Sequence, residues 1–401
     1  PRYTEQRKGR IIALSDPLFL SDKRNELLPL STTKLEEPKL FSLKNPYEPN
    51  QDKLFFEAIV ETMQIFYNES KKYREICNLY SFNPSDLKSI SDLYKLPIIT
   101  TQFLKRNHIE IEHNAITHVT SSGTSGKFSV IKYSAYEIYM FLKMAIRLGI
   151  KHQLFSFSPT HCVMLGYKPK LNNYSAISRT ALASTFYSFT ISRDYALQYK
   201  GDTYILDLDN IIQKMQKYLK GRLPIRIIGF PAYAYFLMQS LQRKGIKLSF
   251  PKGSKILFGG GWKQFGADEI AKEELYGMIK ETLGIDSMNI HEFFGAAEHP
   301  ILYCSCPNKR FHIPDYARII IRDVKTLEAL SYGHVGLVNL LTPVQSNIPI
   351  ISIMTDDLGV VHEGKTCGCG IDNDYLEILG RVGVADIKTC TAGAKDYLGG
   401  K

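Results

Sequence analysis

The run Thr120-Ser121-Ser122-Gly123-Thr124-Ser125-Gly126-Lys127 combines hydroxyls, two glycines and a lysine in a form that can wrap a polyphosphate. Glycines let the backbone approach an anion closely, while successive amides and hydroxyls donate to its oxygens. A strand-forming stretch, Ser129 to Tyr133, comes next. Ser134 and Glu137 then stand at the spacing of a helix capping box, ahead of apolar Ile138, Phe141 and Leu142. Two familiar phosphate loops are excluded by position. A Walker loop needs Gly where Ser121 stands and a magnesium-binding hydroxyl where Phe128 stands. The dinucleotide fingerprint fails at Gly259-Gly260-Gly261, because Gln264 takes its third glycine position. Ser/Thr/Gly runs also serve as plain surface connectors, so the elements around the loop must decide.

A second group of reactive residues is the pair Cys304-Ser305-Cys306 and Cys367-Gly368-Cys369, which holds four of the seven cysteines. In a reducing compartment such pairs read as metal ligands rather than disulfides. Four thiolates would hold Zn²⁺ tetrahedrally as a structural site, with His312 as a substitute ligand. Cys77 and Cys162 lie among apolar neighbours and are expected in the core.

These residues need a scaffold, and the chain is long enough to supply one. Its 401 residues, 44% of them apolar, suit a soluble α/β protein with two or three subdomains. No apolar run is long enough for a membrane span. Asp16 and Pro17 interrupt the Ile11 to Leu20 stretch, which argues against a signal peptide and for a cytoplasmic protein. The net charge of +10 suits an anionic ligand such as ATP. Its Lys and Arg residues are dispersed, which argues against nucleic acid.

Residues 1–45 read as an extended N-terminal arm, and Leu54 to Ser70 as an amphipathic helix. From about residue 118 strands and helices alternate. Strands are predicted at Cys162 to Tyr167, Tyr204 to Leu208, Ile225 to Phe230 and Lys255 to Phe258. Helices are predicted from about 209 to Leu219, from Pro231 to about Arg243, and from Ala267 to Leu283. This alternation predicts an α/β fold with a mostly parallel sheet covered by helices on both faces, over residues 46–314. Strands without helices follow in 315–380, a smaller β-rich subdomain, and 381–401 is a short tail. Ligands of such sheets sit beyond the carboxyl ends of the strands. The glycine loop, Phe230-Pro231, Gly259 to Gly261 and Phe294-Gly295 all follow predicted strands, so they can converge.

With these elements in place, the chain resembles the adenylate-forming superfamily in its phenylacetate–CoA ligase branch. Within that branch it is most similar to the acyl-protein synthetases (long-chain-fatty-acid–protein ligases) of bacterial bioluminescence fatty acid reductase complexes. The resemblance runs from about Leu40 to Thr391 and includes the proline-led segment Leu96 to Lys105. It implies that Ser121, Ser122, Gly123, Thr124, Ser125, Gly126 and Lys127 hold the phosphates of ATP, and that Gly259, Gly260, Gly261 and Trp262 form a wall for adenine. Phe294-Gly295-Ala296-Ala297-Glu298 matches the motif whose aromatic packs on the base and whose Glu helps bind Mg²⁺, although Ala297 replaces the usual hydroxyl. Thr355-Asp356-Asp357 matches the ribose-binding segment, with Asp357 the preferred carboxylate, and Gly380-Arg381 matches the hinge motif.

Only twenty residues follow Arg381, so the family's C-terminal lid domain is expected to be absent. Cys390 matches the acceptor cysteine of the acyl-protein synthetases, with Lys388 and Lys395 nearby to favour thiolate. The resemblance thus implies ATP-dependent activation of a fatty acid to acyl-AMP, transfer to Cys390, and delivery to an acyl-CoA-reductase-like partner that makes aldehyde. Two alternatives are an acyl- or aryl-CoA ligase and a non-catalytic nucleotide-binding subunit, the latter suggested by Ala297.

Overall fold

The computed structural model describes residues 37–382, apart from 108, 110–114, 122–128, 169–175, 201–202, 263–264 and 266–268. Two helices open this part, α1 (Asp52–Glu69) and α2 (Lys71–Leu79). Phe55, Ile59, Met63 and Phe66 recur at helical spacing on α1, and all four are buried. Most of the expected arm, residues 1–36, lies outside the described residues. Leu40 and Phe41 are buried in the core, because two adjacent large apolar side chains gain more from burial than from extension into water.

A two-residue strand β1 (Ile99–Thr100) and the short α3 (Thr101–Leu104) lead to a hairpin of β2 (Ala115–Thr120) and β3 (Val130–Ser134). The capping box then starts α4 (Ala135–Lys151) as the spacing predicts, with Ser134 Oγ accepting from the Glu137 amide at 3.2 Å. Met140, Met144 and Leu148 of this helix are buried, whereas Ile138, Leu142, Ile146 and Ile150 line its solvent side.

The larger sheet is built from β4 (Ser156–Tyr167), β5 (Ser188–Lys200), β6 (Thr203–Leu206), β7 (Ile225–Gly229), β8 (Lys255–Gly259), β9 (Ile290–Ala296) and β10 (His299–Cys304). Its order is β10-β9-β8-β7-β4-β5-β6. The five inner strands are parallel, and the two edge strands β6 and β10 are antiparallel. The segment around Tyr204 is therefore an edge returning along β5 rather than a further parallel strand. β5 itself was not foreseen, because Ser188 to Lys200 mixes polar and apolar residues without a clean alternation.

Helices α5 (Ala176–Ser184), α6 (Leu208–Lys220), α7 (Pro231–Arg243) and α8 (Lys272–Leu283) connect these strands. α8 begins five residues later than expected, and its first turn carries Glu273 and Glu274, which suit the helix dipole. α7 starts on Pro231, and Gly245 at φ 63° follows it, as the sequence predicts. Val163, Leu165, Ile227 and Ile256 face α6, α7 and α8 in one core. Met164, Ile228, Leu257 and Phe293 face the opposite way, against Leu148 of α4 and Tyr187.

The second sheet contains β11 (Phe311–His312), β12 (Arg318–Arg322), β13 (Ala329–Leu330), β14 (Gly336–Leu341), β15 (Ser352–His362) and β16 (Tyr375–Arg381). It is antiparallel in the order β11-β16-β15-β14-β12-β13, with β1 added in parallel to β15. It packs on α1 and α2 in a core that also takes Val119, Ile131 and Tyr133 of the hairpin and Ile301 and Tyr303 of β10. The β-rich unit thus recruits β1 and β11 from outside 315–380. No described helix is long and apolar enough to cross a membrane.

Candidate active site

The carboxyl ends of β4, β7, β8 and β9 open on one side of the larger sheet, where ligands of parallel sheets sit. β4 and β7 approach very closely there. Gly229 lies at φ 150°, and a Cβ on it would stand 2.1 Å from the Leu165 carbonyl oxygen, so no other residue fits without moving a strand. A cavity at these ends is walled by Tyr167, Phe230, Tyr233, Gly261, Trp262 and Phe265. Trp262 is buried, with its ring tilted against Tyr235 at 5.5 Å, and of the segment Gly259, Gly260, Gly261 and Trp262 the last two back the cavity. A more open depression between α6 and α7 holds Asp209 and Lys244, which pair with each other at 2.9 Å.

Ser121 stands at the start of the expected phosphate loop and is tied to Ser129. Its amide donates to the Ser129 carbonyl at 3.0 Å, and its hydroxyl accepts from the Ser129 amide at 2.9 Å. Ser122, Gly123, Thr124, Ser125, Gly126 and Lys127 lie outside the described residues, as does Cys390.

The strand leaving that loop is tied to the Glu298 turn. Tyr133 Oη donates to the Ala297 carbonyl at 2.9 Å, and Gln345 Nε2 donates to the Glu298 carbonyl at 2.9 Å. Glu137 completes the weave. Its Oε1 accepts from the amides of Ser346 (2.8 Å) and Asn347 (3.3 Å). Its Oε2 accepts from the Ser134 amide (2.7 Å), the Ser134 hydroxyl (3.1 Å) and Asn347 Nδ2 (3.0 Å). Tyr133, Glu137, Gln345 and Asn347 were not singled out from sequence as site residues. The capping box marked Glu137, but nothing local announces a partner 210 positions away.

Phe294, Gly295 and Ala296 end β9, and Glu298 sits in the turn to β10. Phe294 packs on Tyr303 at 5.6 Å and on Phe311 at 6.0 Å, towards the second sheet. Glu298 is buried, and no Lys or Arg pairs with it among the described residues, which leaves its carboxylate available to a cation. Asp357 and Arg381 face each other across β15 and β16, with Arg381 Nε 3.5 Å from Asp357 Oδ1. Burial raises the Asp357 carboxyl above its ordinary range, and the Arg381 guanidinium opposes this.

The thiols do not assemble as the sequence pairs predict. Cys306, Cys367 and Cys369 come together with His312, while Cys304 points into the core beside Met164 and Leu257. Cys304 is the last residue of β10 and stays with that strand in the core. Cys306 has passed into the turn that follows, and its carbonyl accepts from the Lys309 amide. His312, and not the expected Cys304, is the fourth member of this group. Cys77 and Cys162 are buried, as expected.

The profile of the acyl-protein synthetase family LuxE matches residues 40–398. Two long-chain-fatty-acid–luciferin-component ligases are similar along most of the chain. The one from Aliivibrio fischeri is 22% identical over 85% of this chain and 88% of its own, and the one from Vibrio harveyi is 23% identical over 85% and 87%. Among solved structures, an open conformation of 2-hydroxyisobutyryl-CoA ligase with its acyl-adenylate and CoA matches at a TM-score of 0.63. It covers 90% of this chain and 81% of that one at 14% identity, and so speaks for the adenylate-forming fold.

Proposed function

This chain belongs to the acyl-protein synthetase family LuxE, and from that premise we propose that it activates a long-chain fatty acid with ATP and carries the acyl group on Cys390. The observation that carries the reading is the weave of Tyr133, Glu137 and Gln345. It holds the exit strand of a hydroxyl-and-glycine loop against a buried Glu298 that no Lys or Arg among the described residues pairs with. In the first step a fatty acid carboxylate oxygen attacks the α-phosphorus of ATP, forming acyl-AMP and releasing pyrophosphate. In the second, the Cys390 thiolate attacks the acyl carbonyl, a thioester forms, and AMP leaves.

Each part of the site has a task in this scheme. The loop from Ser121 to Lys127 grips the phosphates, the wall at Gly259 to Trp262 flanks the base, and Asp357 accepts from the ribose hydroxyls with Arg381 beside it. Glu298 is the residue to hold Mg²⁺, which would neutralise phosphate charge when bound. The family match extends past Cys390, which supports the cysteine as acceptor. The reading places the protein in the cytoplasm, with a reductase as the partner that takes the thioester to aldehyde. Zinc suits the Cys/His cluster by donor type.

Incubation with ATP, Mg²⁺ and labelled fatty acid tests both steps. Label should remain on the denatured chain and be released by hydroxylamine. Cys390→Ser should lower it at least ~100-fold while pyrophosphate exchange continues. Retention of label by that variant, or soluble acyl-CoA as the sole product when CoA is supplied, would reject the acyl-enzyme. Glu298→Gln should slow pyrophosphate exchange by about 10²–10³-fold with an unchanged denaturation midpoint. Exchange at the wild-type rate would remove Glu298 from the reaction.

A further inference from the structure

We infer that Cys306, His312, Cys367 and Cys369 form a zinc site of three thiolates and one imidazole, which staples the β9–β10 hairpin to the β15–β16 end of the second sheet. The inference deepens the metal part of the reading above and does not depend on Cys390 or on the reaction.

One ligand atom from each residue lies within 4.8 Å of all the others. The Cys306 and Cys367 sulfurs are 3.6 Å apart. Two thiolates on one tetrahedral zinc, each about 2.3 Å from the ion, stand about 3.8 Å apart, so this pair is already at ligand spacing. A disulfide would need about 2.05 Å. Cys369 Sγ lies 3.1 Å from His312 Nε2, a few tenths of an ångström inside the separation that a shared ion imposes.

The imidazole is oriented for the task. His312 Nδ1 lies 2.6 Å from the Asn373 carbonyl oxygen, which can only accept, so Nδ1 carries the proton and Nε2 turns its lone pair to the sulfurs. Asn308 Nδ2 donates to the Cys367 carbonyl at 2.7 Å and stands 4.0 Å from its sulfur, a second contact around the ligands. Gly368 at φ 70° and Gly370 at φ 85° flank Cys369, and these left-handed turns let a Cys-Gly-Cys segment aim both sulfurs one way. At Gly364 a Cβ would meet the Asp372 and Asn373 carbonyl oxygens at 2.1 and 2.2 Å, so this loop lies directly on the backbone that orients His312. Soft thiolates with one imidazole select zinc over magnesium or calcium, and four protein ligands close the coordination sphere, which makes the site structural.

The staple joins two loops about sixty residues apart in the chain. One follows the hairpin that carries Phe294, Gly295 and Glu298. The other leads into β16, which ends at Arg381 opposite Asp357. The metal would thereby fix the distance between the two halves of the candidate site without touching a substrate.

Elemental analysis of the full chain, purified without a metal-affinity step, should give about one zinc per chain. Cys306→Ser and Cys369→Ser should each weaken zinc retention against a chelator by more than the roughly 10- to 100-fold that loss of an outer contact costs, whereas Cys304→Ser should keep it. Should the serine variants fail to fold, His312→Cys still reads the site. Loaded with Co²⁺, it should show stronger sulfur-to-metal charge transfer than the wild-type chain, in keeping with four thiolates instead of three. A zinc-free wild-type chain, zinc lost on Cys304→Ser, zinc retained by Cys306→Ser and Cys369→Ser, or identical cobalt spectra for wild type and His312→Cys would each overturn the assignment. None of these readouts depends on fatty acid activation, so the two proposals fail separately.

Discussion

Glu137→Ala is expected to lower folding stability by roughly 3–5 kcal/mol, the cost of removing one partner from a buried charged network. The two carboxylate oxygens of Glu137 take five donors, from Ser134, Ser346 and Asn347, in a buried position. Loss of the helix cap alone costs about 1 kcal/mol. The amides of Ser346 and Asn347 then lose their acceptor inside the protein, at about 1–3 kcal/mol for each group left unsatisfied. Glu137→Gln is no remedy, since its amide nitrogen would turn hydrogens toward donors. Urea denaturation at fixed pH measures the effect, and a midpoint within experimental error of wild type would show that the loop at 345–347 is held by something else. Pyrophosphate exchange measured well below the midpoint should also fall, because Gln345 of the same loop carries the backbone of Glu298.

Acid should destabilise this protein well above the pH at which ordinary carboxylates titrate. Burial drives His299 and His291 down to about 3 and His152 down to about 4. The unfolded chain takes up protons at these positions near pH 6.5 while the folded chain does not, so the stability they contribute is present above pH 6.5 and lost as pH falls toward 4. Asp315 works the other way. Burial raises it to about 6, so the folded chain holds its proton between about pH 4 and 6 and the unfolded chain does not. Three histidines against one aspartate leave an excess of about two protons on the unfolded chain near pH 5, or about 3 kcal/mol of stability lost per pH unit. Denaturant midpoints taken from pH 7 to 5 should fall steeply. His299→Gln should flatten the slope by about one proton, provided that Gln can still meet Tyr303, whose hydroxyl lies 2.9 Å from His299 Nε2. A flat profile would mean that these imidazoles are hydrated in the folded chain.

Local physics made much of this molecule legible. The capping box at Ser134 and Glu137, the proline start of α7 and its glycine stop, and the apolar stripe of α1 are short-range patterns, and each element stands where its residues predict. The α/β class followed from the same patterns, as did the family, through ordered motifs. The failures share one cause, which is distance along the chain. β5 has no periodicity of its own and is held by partners on either side. β1 is two residues long and exists only because β15 lies beside it. The sequence pairs of cysteines suggested four thiolates, yet Cys304 stays with β10 in the core, Cys306 lies beyond the strand end, and His312 arrives through a strand that pairs with β16. The clamp on Glu298 was invisible for the same reason, since Tyr133 and Gln345 reach it from segments far apart in the chain.

Tyr133 and Trp262 are anchored in separate hydrophobic bodies, the first beneath the antiparallel sheet and the second beneath the parallel one. A molecule seated between them would act as a bolt through two plates. Its grip would then be felt as rigidity far from the point of contact, and each plate would soften when the bolt is withdrawn.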